Sequence, residues 1–447
     1  MLHFRLGRWV FTAAASLWMG TGLGAFGALL GSCAALPPAD TPSFAEAAPL
    51  GPTPAPDPAR EVANSRIVAS AELAAVGDLL MHGAVKESAS AQNELRDDGT
   101  SANFDGYGAL FAHVAEELRS ADLAFANLET PIAPKTDRGS RPFVFNAPPA
   151  LLPALQDAGV GIVAFANNHV YDQGRAGFVE TLEELERAGL PQVGAGASCD
   201  EAASARILDV NGIRLAFLGA TKLFNNDLNR TPTEPCAFLL DEAVLIEKVR
   251  LAREEGAELV IASLHWGVEY ETAPRKAEIE QAHRLLDAGV DVILGHHPHV
   301  LQPVEVYETR DGRITFVAYS LGNFVSNQSR TYTHGLHPEK MGFTRDGLLL
   351  RFRAVRRVFP DGAVRTELAD LVAHPLWTEN NAVSRGRDPK LPPMIRVIHS
   401  DRAIEEARAA LEGEVDEARK VELQRRIETL EDRRRLVGRI VGDDLLP

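Results

Sequence analysis

Short apolar runs recur along this chain, and five of them end in a residue of the kind that binds metals. The runs are rich in β-branched and aliphatic residues, which is typical of buried parallel strands. They are Leu73–Asp78, Leu123–Glu129, Ile162–His169, Leu259–His265 and Asp291–His299. In open α/β sheets the ligand site lies beyond the carboxyl ends of the strands. We therefore expect these five endings, distant along the chain, to share a single site.

Amphipathic segments separate the apolar runs, and their apolar residues follow helical spacing. Most of them end near a glycine, which is a common helix stop. The segments are Gly106–Ser120, Pro148–Ala158, Gly174–Ala188, Asp241–Glu255 and Lys276–Ala288. Strands that alternate with helices of this length predict a layered α/β fold.

The pattern changes after Val300. The segments Val304–Tyr307, Arg313–Ser320 and Leu348–Val355 are predicted strands with short turns between them, so antiparallel pairing is expected. A sheet of this kind packed on the first one predicts a two-sheet sandwich flanked by helices. The densely charged segment Asp401–Arg439 has leucines and alanines at loose helical spacing, which predicts a surface helix or helical pair.

Bulk composition restricts the class of protein. The 447 residues are 45% hydrophobic and 24% charged, as in ordinary soluble globular proteins. The formal net charge of −16 argues against a general nucleic-acid partner, because no broad cationic face would neutralise phosphates. A local cationic pocket, such as a bound metal creates, remains compatible with this charge.

The amino terminus has the pattern of an export segment. A positively charged start precedes the apolar stretch Trp9–Leu30, and small residues lead to Cys33. The sequence Leu30-Gly31-Ser32-Cys33 resembles the lipobox of bacterial lipoproteins, which implies cleavage before Cys33 and lipidation of its thiol. The alternative is an uncleaved anchor, since the stretch is long enough to span a bilayer. Both alternatives predict a protein tethered on the extracytoplasmic side of the membrane.

Residues 34–66 are rich in proline and alanine and predict an extended spacer between the anchor segment, residues 1–33, and the folded part. Two further cysteines, Cys199 and Cys236, lie in the folded part. An exported protein can join them in a disulfide, and two free buried thiols are the alternative. Neither lies beside the strand-end residues, so neither is assigned to the site.

Each strand ending has an ordinary structural explanation when it is taken alone. Asp78 would cap a helix, Glu129 would be a solvated charge, and His265 would be a satisfied core histidine. The stronger motifs are Asn167-Asn168-His169, with Asp172 following, and the three histidines of His296-His297-Pro298-His299. Carboxylate, amide and imidazole groups without cysteine ligands suit Mn²⁺, Zn²⁺ or Fe²⁺ in a catalytic setting. Taken together, the motifs favour a metal or catalytic cluster.

With these motifs, the chain resembles the bacterial capsule-synthesis family typified by CapA, the poly-γ-glutamate biosynthesis proteins. The resemblance runs from about Leu73 to about Trp377. It rests on Gly77-Asp78, Asn127-Leu128-Glu129, Ala166-Asn167-Asn168-His169 with Asp172 and Gly174, His265-Trp266-Gly267 with Glu269, His296-His297-Pro298-His299 and Ser320-Leu321-Gly322-Asn323-Phe324. That family is similar in fold to calcineurin-like metallophosphoesterases, which implies a four-layer α/β/β/α sandwich and a two-metal centre.

The resemblance also implies roles for individual residues. The implied metal ligands are Asp78, Glu129, Asn168, His265, His297 and His299. The implied acid is His169. Asp172 and Glu269 are further candidate catalytic groups, and Asn167, His296 and Asn323 are candidate substrate contacts. For Glu269 and Asn323 a purely structural role is the alternative. The usual Asp-x-His pair is missing after Asp78, and Glu129 stands where the related enzymes have aspartate. The sequence therefore leaves open whether the site holds two metal ions, one or none.

These observations predict a CapA-like domain at residues 67–380 and a largely helical extension at residues 381–447. Two functions are compatible with them. The first is a metal-dependent hydrolase or transferase that acts on a capsule or other envelope polymer, or on its precursor. The second is a non-catalytic scaffold or export component of a membrane polymer-synthase complex. The substrate itself cannot be derived from the fold.

Overall fold

Two β-sheets carry the strand endings, in a computed structural model that describes residues 64–138 and 143–447. All of these residues belong to the compact unit Pro56–Pro447. In chain order the strands are β1 (Arg66–Leu79), β2 (Leu123–Asn127), β3 (Val160–Ala164), β4 (Gln192–Val193), β5 (Ala195–Gly196), β6 (Arg206–Val210), β7 (Ile213–Thr221), β8 (Cys236–Ala237), β9 (Leu259–His265), β10 (Val292–His296), β11 (Val304–Glu308), β12 (Ile314–Ala318), β13 (Asn323–Val325), β14 (Asp346–Val358), β15 (Val364–Asn380) and β16 (Ile395–His399).

The first sheet has the order β16-β15-β14-β1-β2-β3-β4, and β13 pairs with β1. Its strands β1, β2 and β3 are parallel, whereas β14 runs antiparallel to β1. The second sheet has the order β11-β12-β10-β9-β7-β6, with β7, β9, β10 and β12 parallel. The short strands β5 and β8 form a separate antiparallel pair.

The division of strands between the two sheets differs from the prediction. The strands after Val300 do not form a sheet of their own. β11 and β12 join the second sheet through parallel pairing of β12 with β10, while β14 extends the first sheet beside β1. The parallel strands of the first half are themselves split between both sheets. A strand buried on both faces has the same apolar sequence in either sheet, which is why the pattern could not assign them.

The helices cover the sheets and lie close to most of the predicted segments. They are α1 (Gly83–Ala91), α2 (Tyr107–Phe111), α3 (Ala115–Arg119), α4 (Leu151–Ala158), α5 (Gly174–Ala188), α6 (Cys199–Ala203), α7 (Glu242–Glu254), α8 (Lys276–Asp287), α9 (Ala382–Arg387), α10 (Ser400–Glu412) and α11 (Glu417–Val441). The predicted single helix Gly106–Ser120 is broken into α2 and α3. At the break, His113 makes an isolated β-bridge with Ile398, which removes its backbone from a helical path.

Apolar side chains form separate clusters on the two faces of each sheet. Along β1, Ala74 and Val76 belong to one cluster and Leu73 and Ala75 to another, because neighbouring strand residues point to opposite faces. The first cluster includes side chains of α1 to α5, the second joins both sheets, and the third joins the second sheet to α7 and α8. The packing order is helices, sheet, sheet and helices. The α/β class predicted from the sequence is confirmed.

A short segment, Tyr319–Gly322, runs from β12 in the second sheet to β13 in the first, and we call it the crossing segment. Its last carbonyl accepts the backbone N–H of Asp78 at 3.0 Å, and it donates an N–H to the Gly295 carbonyl at 3.0 Å. A Cβ on Gly77 or on Gly295 would lie 1.9 or 2.0 Å from a carbonyl oxygen of this segment. Glycine at both positions therefore permits the ends of β1 and β10 to approach the same piece of backbone.

The charged C-terminal segment forms the helices α10 and α11. Their inner faces are buried, because Leu430 of α11 packs in a cluster with Trp377, and Val437 and Val441 join the cluster between the sheets. Arg433 of α11 is also buried. The pair is thus helical as predicted, but α11 contributes to the core as well as to the charged surface.

The predicted anchor segment, with Cys33, and most of the predicted spacer lie outside the described residues. Within residues 64–138 and 143–447, no helix combines the length and the apolar character needed to cross a membrane. The domain boundaries at residues 67, 380 and 381 stay predictions. Of the two alternatives for Cys199 and Cys236, the structure has the disulfide.

Candidate metal centre

Carboxylate and imidazole groups from both sheets meet at the strand ends. Asp78 lies near the end of β1, Glu129 follows β2, His265 is the last residue of β9, and His297 and His299 follow β10. Ligand atoms of Asp78, Glu129 and His265 lie within 4.8 Å of one another, and so do those of Glu129, His297 and His299. Glu129 belongs to both groups. The structure thus contains two overlapping sets of potential ligands around a shared carboxylate.

Glu129 is completely buried, and neither of its carboxylate oxygens has a hydrogen-bond partner. Two imidazole nitrogens lie near Glu129 Oε1: His265 Nε2 at 3.6 Å and His299 Nε2 at 3.9 Å. Burial, and then the nearby charge of Asp78, raises the pKa of Glu129 well above its usual value. A buried carboxylate without hydrogen bonds is unfavourable unless a counter-charge compensates it.

Asp78 has the opposite electrostatic environment. Its Oδ1 lies 2.9 Å from His296 Nδ1 and accepts a hydrogen bond from Asn127 Nδ2 at 2.9 Å, while Oδ2 accepts the His297 backbone N–H at 3.3 Å. Burial alone would raise the pKa of Asp78, but hydrogen bonds with His296 and His299 hold it well below its usual value. Asp78 therefore carries a negative charge into the centre at neutral pH.

The environment of His265 and His297 favours the neutral form of both imidazole rings. Burial, followed by the charge of neighbouring His297, lowers the pKa of His265 well below its usual value. Burial, followed by the charge of His299, lowers the pKa of His297 to about 4. Neutral rings keep a nitrogen lone pair available for a cation. His297 and His299 also have positive φ angles of 98° and 58°, a conformation that persists only where surrounding structure supports it.

Asn168, His169 and Asp172 lie in the loop between β3 and α5. Asn168 Oδ1 is 3.0 Å from His265 Nε2, so the amide oxygen faces the centre. His169 Nδ1 pairs with Asp172 Oδ2 at 2.8 Å, and the same carboxylate oxygen accepts the Phe145 backbone N–H at 2.6 Å. The Phe145 ring packs against the His169 ring at a centroid distance of 4.5 Å. A carboxylate thus fixes the orientation of the His169 ring beside the candidate metal ligands.

The three residues predicted to contact substrate are buried and are held by other protein groups. Asn167 Nδ2 donates to the Leu128 carbonyl at 2.8 Å, and its Oδ1 accepts the His169 backbone N–H at 3.1 Å. His296 lies behind Asp78, and Asn323 Oδ1 lies 3.1 Å from His299 Nδ1. These geometries favour positioning roles for Asn167, His296 and Asn323 over direct contact with a substrate.

Glu269, predicted as a catalytic group, lies in the exposed turn after β9. The neighbouring Tyr270 is half exposed, and its ring centroid lies 6.1 Å from that of His299. Glu269 therefore belongs to the rim of the centre and not to the buried cluster. Its catalytic role stays a prediction.

Residues 72–328, more than half of the chain, match the model of a protein family described as bacterial capsule synthesis protein PGA_cap. The chain belongs to this family. The matched range includes every strand ending of the candidate metal centre and stops before β14 and the C-terminal helices.

Relatives in the family carry names that refer to polymer synthesis. The chain is 32% identical over 265 residues to the capsule biosynthesis protein CapA of Bacillus anthracis, covering 58% of this chain and 60% of that protein. It is 32% identical over 231 residues to the PGA biosynthesis protein CapA of Bacillus subtilis (strain 168), covering 51% and 59%. It is 28% identical over 222 residues to a probable polyglutamine synthesis accessory protein of Mycobacterium tuberculosis, covering 47% and 57%. The chain thus spans less than two thirds of the length of each of these relatives.

Solved structures also align with the chain at low identity. The calcineurin-like phosphoesterase YfkN of Bacillus subtilis aligns at 12% identity with a TM-score of 0.36, covering 82% of this chain and 99% of that chain. The NAD nucleotidase of Haemophilus influenzae aligns at 14% identity with a TM-score of 0.39, covering 81% and 61%.

Two further residues of the site, Asn127 and Asn225, were not predicted from the sequence, and both lie within the range that matches the family. Asn127 ends β2, donates to Asp78 and lies 3.4 Å from His265 Nδ1, while its buried Oδ1 has no partner. Asn225 lies beside both Asn168 and His169, with side-chain distances of 3.3 and 3.4 Å. The position of Asn127 at a strand end, two residues before Glu129, is the sequence feature that identifies it in retrospect. Asn225 lies in a polar loop with no comparable pattern.

Proposed function

We propose that this chain is an exported, membrane-tethered hydrolase or transferase that depends on a divalent metal ion. We propose further that it acts on a capsule or envelope polymer of poly-γ-glutamate type, or on the phosphorylated precursor of such a polymer. The observation that carries the proposal is the fully buried Glu129 carboxylate, which has no hydrogen-bond partner and faces three histidines. A cation compensates such a group, whereas an empty apolar pocket does not.

The donor set fits a divalent transition-metal ion. Besides both oxygens of Glu129, buried atoms without partners include Asn127 Oδ1 and His297 Nδ1. Asp78, Glu129 and His265 would hold one ion. Glu129, His297 and His299 would hold a second, because Glu129 is common to both groups. Carboxylate, amide and imidazole donors together suit Mn²⁺, Zn²⁺ or Fe²⁺.

The remaining groups can assist cleavage of a phosphoryl or acyl bond. A divalent ion in this centre would polarise a phosphoryl or carbonyl oxygen. His169 is positioned as a general acid, since Asp172 accepts from its Nδ1 and leaves Nε2 as the ring nitrogen able to exchange a proton with a leaving group. The tautomer follows from this hydrogen bond. His169 is buried, and the Phe145 ring packs against it.

Two features support an exported location. The predicted lipobox at Cys33 would tether the chain to the membrane, with the proline-rich spacer holding the domain above it. The Cys199–Cys236 disulfide is typical of oxidising compartments outside the cytoplasm. At this location the chain would meet a capsule or envelope polymer and the membrane complex that makes it.

A second candidate function is a non-catalytic component of a polymer-synthase complex. The Mycobacterium tuberculosis relatives are each named as a probable polyglutamine synthesis accessory protein, which refers to participation in synthesis and not to a reaction. In that case the metal centre would stabilise a binding surface. Catalysis and scaffolding make different predictions for the same variants.

Metal analysis and a turnover assay on the full chain test the proposal. We expect bound Mn, Zn or Fe in the wild type, and loss of that metal in Glu129→Gln and His297→Ala. His283→Ala is a matched control, because His283 on α8 pairs with Glu305 on β11. This variant should keep the metal.

With metal loaded, phosphodiesters and γ-linked glutamate peptides are the substrates to assay. His169→Asn should retain metal and lose turnover by roughly 10²–10⁴-fold, the typical contribution of a general acid. Metal retention without turnover on either substrate class, together with unchanged polymer output from cells carrying His169→Asn, would favour the scaffold function. A wild-type protein that never binds metal would contradict both parts of the proposal.

A further inference from the structure

A cleft of about 610 Å³ opens next to the candidate metal centre. One side is formed by Tyr270, whose ring lies near His299. The other side comes from the short 3₁₀ segment Glu339–Arg345, which we call the wall segment. It contributes Lys340, Met341, Phe343 and Thr344 to the cleft. The wall segment lies beyond residues 72–328, which match the family.

Asn323 connects the wall segment to a candidate metal ligand. Its Nδ2 donates to the Thr344 carbonyl at 2.8 Å, and its Oδ1 lies 3.1 Å from His299 Nδ1. His299 Nδ1 also lies 3.3 Å from Asp78 Oδ2, so Asn323 and Asp78 share this ring N–H, and the ring nitrogen left for a cation is Nε2. This nitrogen lies 3.9 Å from Glu129 Oε1. Such partners of a ligating histidine set its tautomer and ring orientation.

Arg433 of α11 holds both ends of the wall segment. Its guanidinium pairs with both carboxylate oxygens of Asp346, the residue directly after the segment, with Nε 2.9 Å from Oδ1. Its Nη1 donates to the carbonyl of Glu339, the first residue of the segment, at 3.2 Å. The guanidinium also lies 5.5 Å from the Phe343 ring centroid. A planar arginine can make these contacts at once, and a lysine cannot.

We propose that Arg433 is a positioning residue of the metal centre, so that the C-terminal helix α11 completes a site whose ligands all lie in the family domain. The path runs from Arg433 through the wall segment and Asn323 to His299. This inference rests on the proposed metal function. It assigns to residues 381–447 a role in the centre and in the adjoining cleft, where a polymer chain or its precursor would lie.

A purely structural role for Arg433 makes a different prediction. If the arginine only stabilises the packing of α11, its loss lowers the unfolding temperature and leaves metal affinity unchanged in the folded protein. If it acts through Asn323, its effect on metal affinity disappears once Asn323 has been removed. Energies of residues that act along one path are not additive.

The test is a double-mutant cycle of Mn²⁺ and Zn²⁺ affinity, measured by calorimetry on the full chain well below its unfolding temperature. Asn323→Ala should weaken binding by roughly 10–100-fold, the usual effect of removing such a partner. Arg433→Met should weaken it by about tenfold, and the double variant should bind no more weakly than Asn323→Ala alone. Arg434→Met is the matched control, because that neighbouring arginine pairs with Asp401 on α10 and should leave affinity unchanged.

Arg433→Met leaves the buried Asp346 without its partner, which can prevent folding. Arg433→Met combined with Asp346→Leu removes both charges, and the same loss of affinity is expected from it. Unchanged affinity in these variants, or a double variant whose losses multiply, would overturn the inference and leave the proposed function intact. A wild type that binds neither ion would overturn the proposed function as well.

Discussion

Replacement of Glu129 by glutamine tests the electrostatic basis of the candidate metal centre. In the metal-free protein the Glu129 carboxylate is completely buried, and both oxygens lack partners. An unsatisfied buried polar group costs about 1–3 kcal/mol, and a charged one costs more. Burial and the charge of Asp78 raise the pKa of Glu129, so at pH 7.5 the metal-free fold must either hold a buried charge or take up a proton, and both cost free energy. Glutamine removes this cost at nearly constant volume. The metal-free variant should therefore be more stable than the metal-free wild type, by at least about 1 kcal/mol at pH 7.5.

The same substitution should have the opposite effect in the presence of metal. A ligand at 100 times its Kd stabilises the native state by about 2.7 kcal/mol, which corresponds to a rise in Tm of about 3 °C for a protein of this size. The wild type should show this rise with Mn²⁺ or Zn²⁺. Glu129→Gln lacks the carboxylate shared by both ligand groups, so its rise should stay below about 1 °C.

Calorimetric melting with and without metal, on both proteins, gives the comparison directly. Glu247→Gln is a suitable control, because this exposed glutamate pairs only with Arg250 among the contacts of the described residues. It should leave both melting temperatures unchanged. An undiminished metal-dependent rise in Glu129→Gln would refute the assignment of Glu129 as a ligand.

Three further predictions concern the stability of the fold. Gly295→Ala places a Cβ 2.0 Å from a carbonyl oxygen of the crossing segment and should cost about 1–3 kcal/mol in urea unfolding; Gly83→Ala, with open space around its Cβ, should be neutral. Burial would raise the pKa of Glu379, but two arginines lower it below its usual value, so its stabilisation is present above about pH 4.5 and is lost as pH falls below that value. The free energy of unfolding of Glu379→Gln should therefore fall less steeply than that of the wild type as pH drops below about 4.5. An unchanged pH dependence would contradict the stabilising role of the ion pairs of Glu379 with Arg396 and Arg426. Replacing Cys199 and Cys236 by serine opens a loop with a sequence separation of 37 and should lower the free energy of unfolding by about 4 kcal/mol. Equal stability of the oxidised wild type and the serine variant would contradict this prediction.

The hydrophobic pattern of the sequence predicted individual helices and strands well where that pattern is strongly periodic. The bounds of β9 (Leu259–His265) and α5 (Gly174–Ala188) agree with the predictions residue for residue. β3 ends at Ala164, five residues before His169, because the apolar run continues into a buried loop and burial alone does not distinguish strand from loop. Sheet membership could not be predicted, since it depends on pairing between distant segments.

The candidate metal centre was predictable as a set of residue types and not as a set of roles. Spacing along the chain identified Asp78, Glu129 and the histidines, which the structure brings together. It could not show that His296 and Asn323 lie behind ligand residues, because that depends on which face of its strand each side chain occupies. The contribution of Arg433 could not be anticipated, since it comes from a helix whose sequence is typical of a solvated surface.

The crossing segment has a consequence for how this family can vary. Because one stretch of backbone is bonded to the ends of β1 and β10, the relative spacing of Asp78 and His296 does not depend on the length or sequence of the peripheral loops. Insertions and deletions in those loops should therefore change what reaches the centre without disturbing its ligands. Changes at Gly77 or Gly295 should be rare in the family, because a side chain at either position would collide with this stretch of backbone.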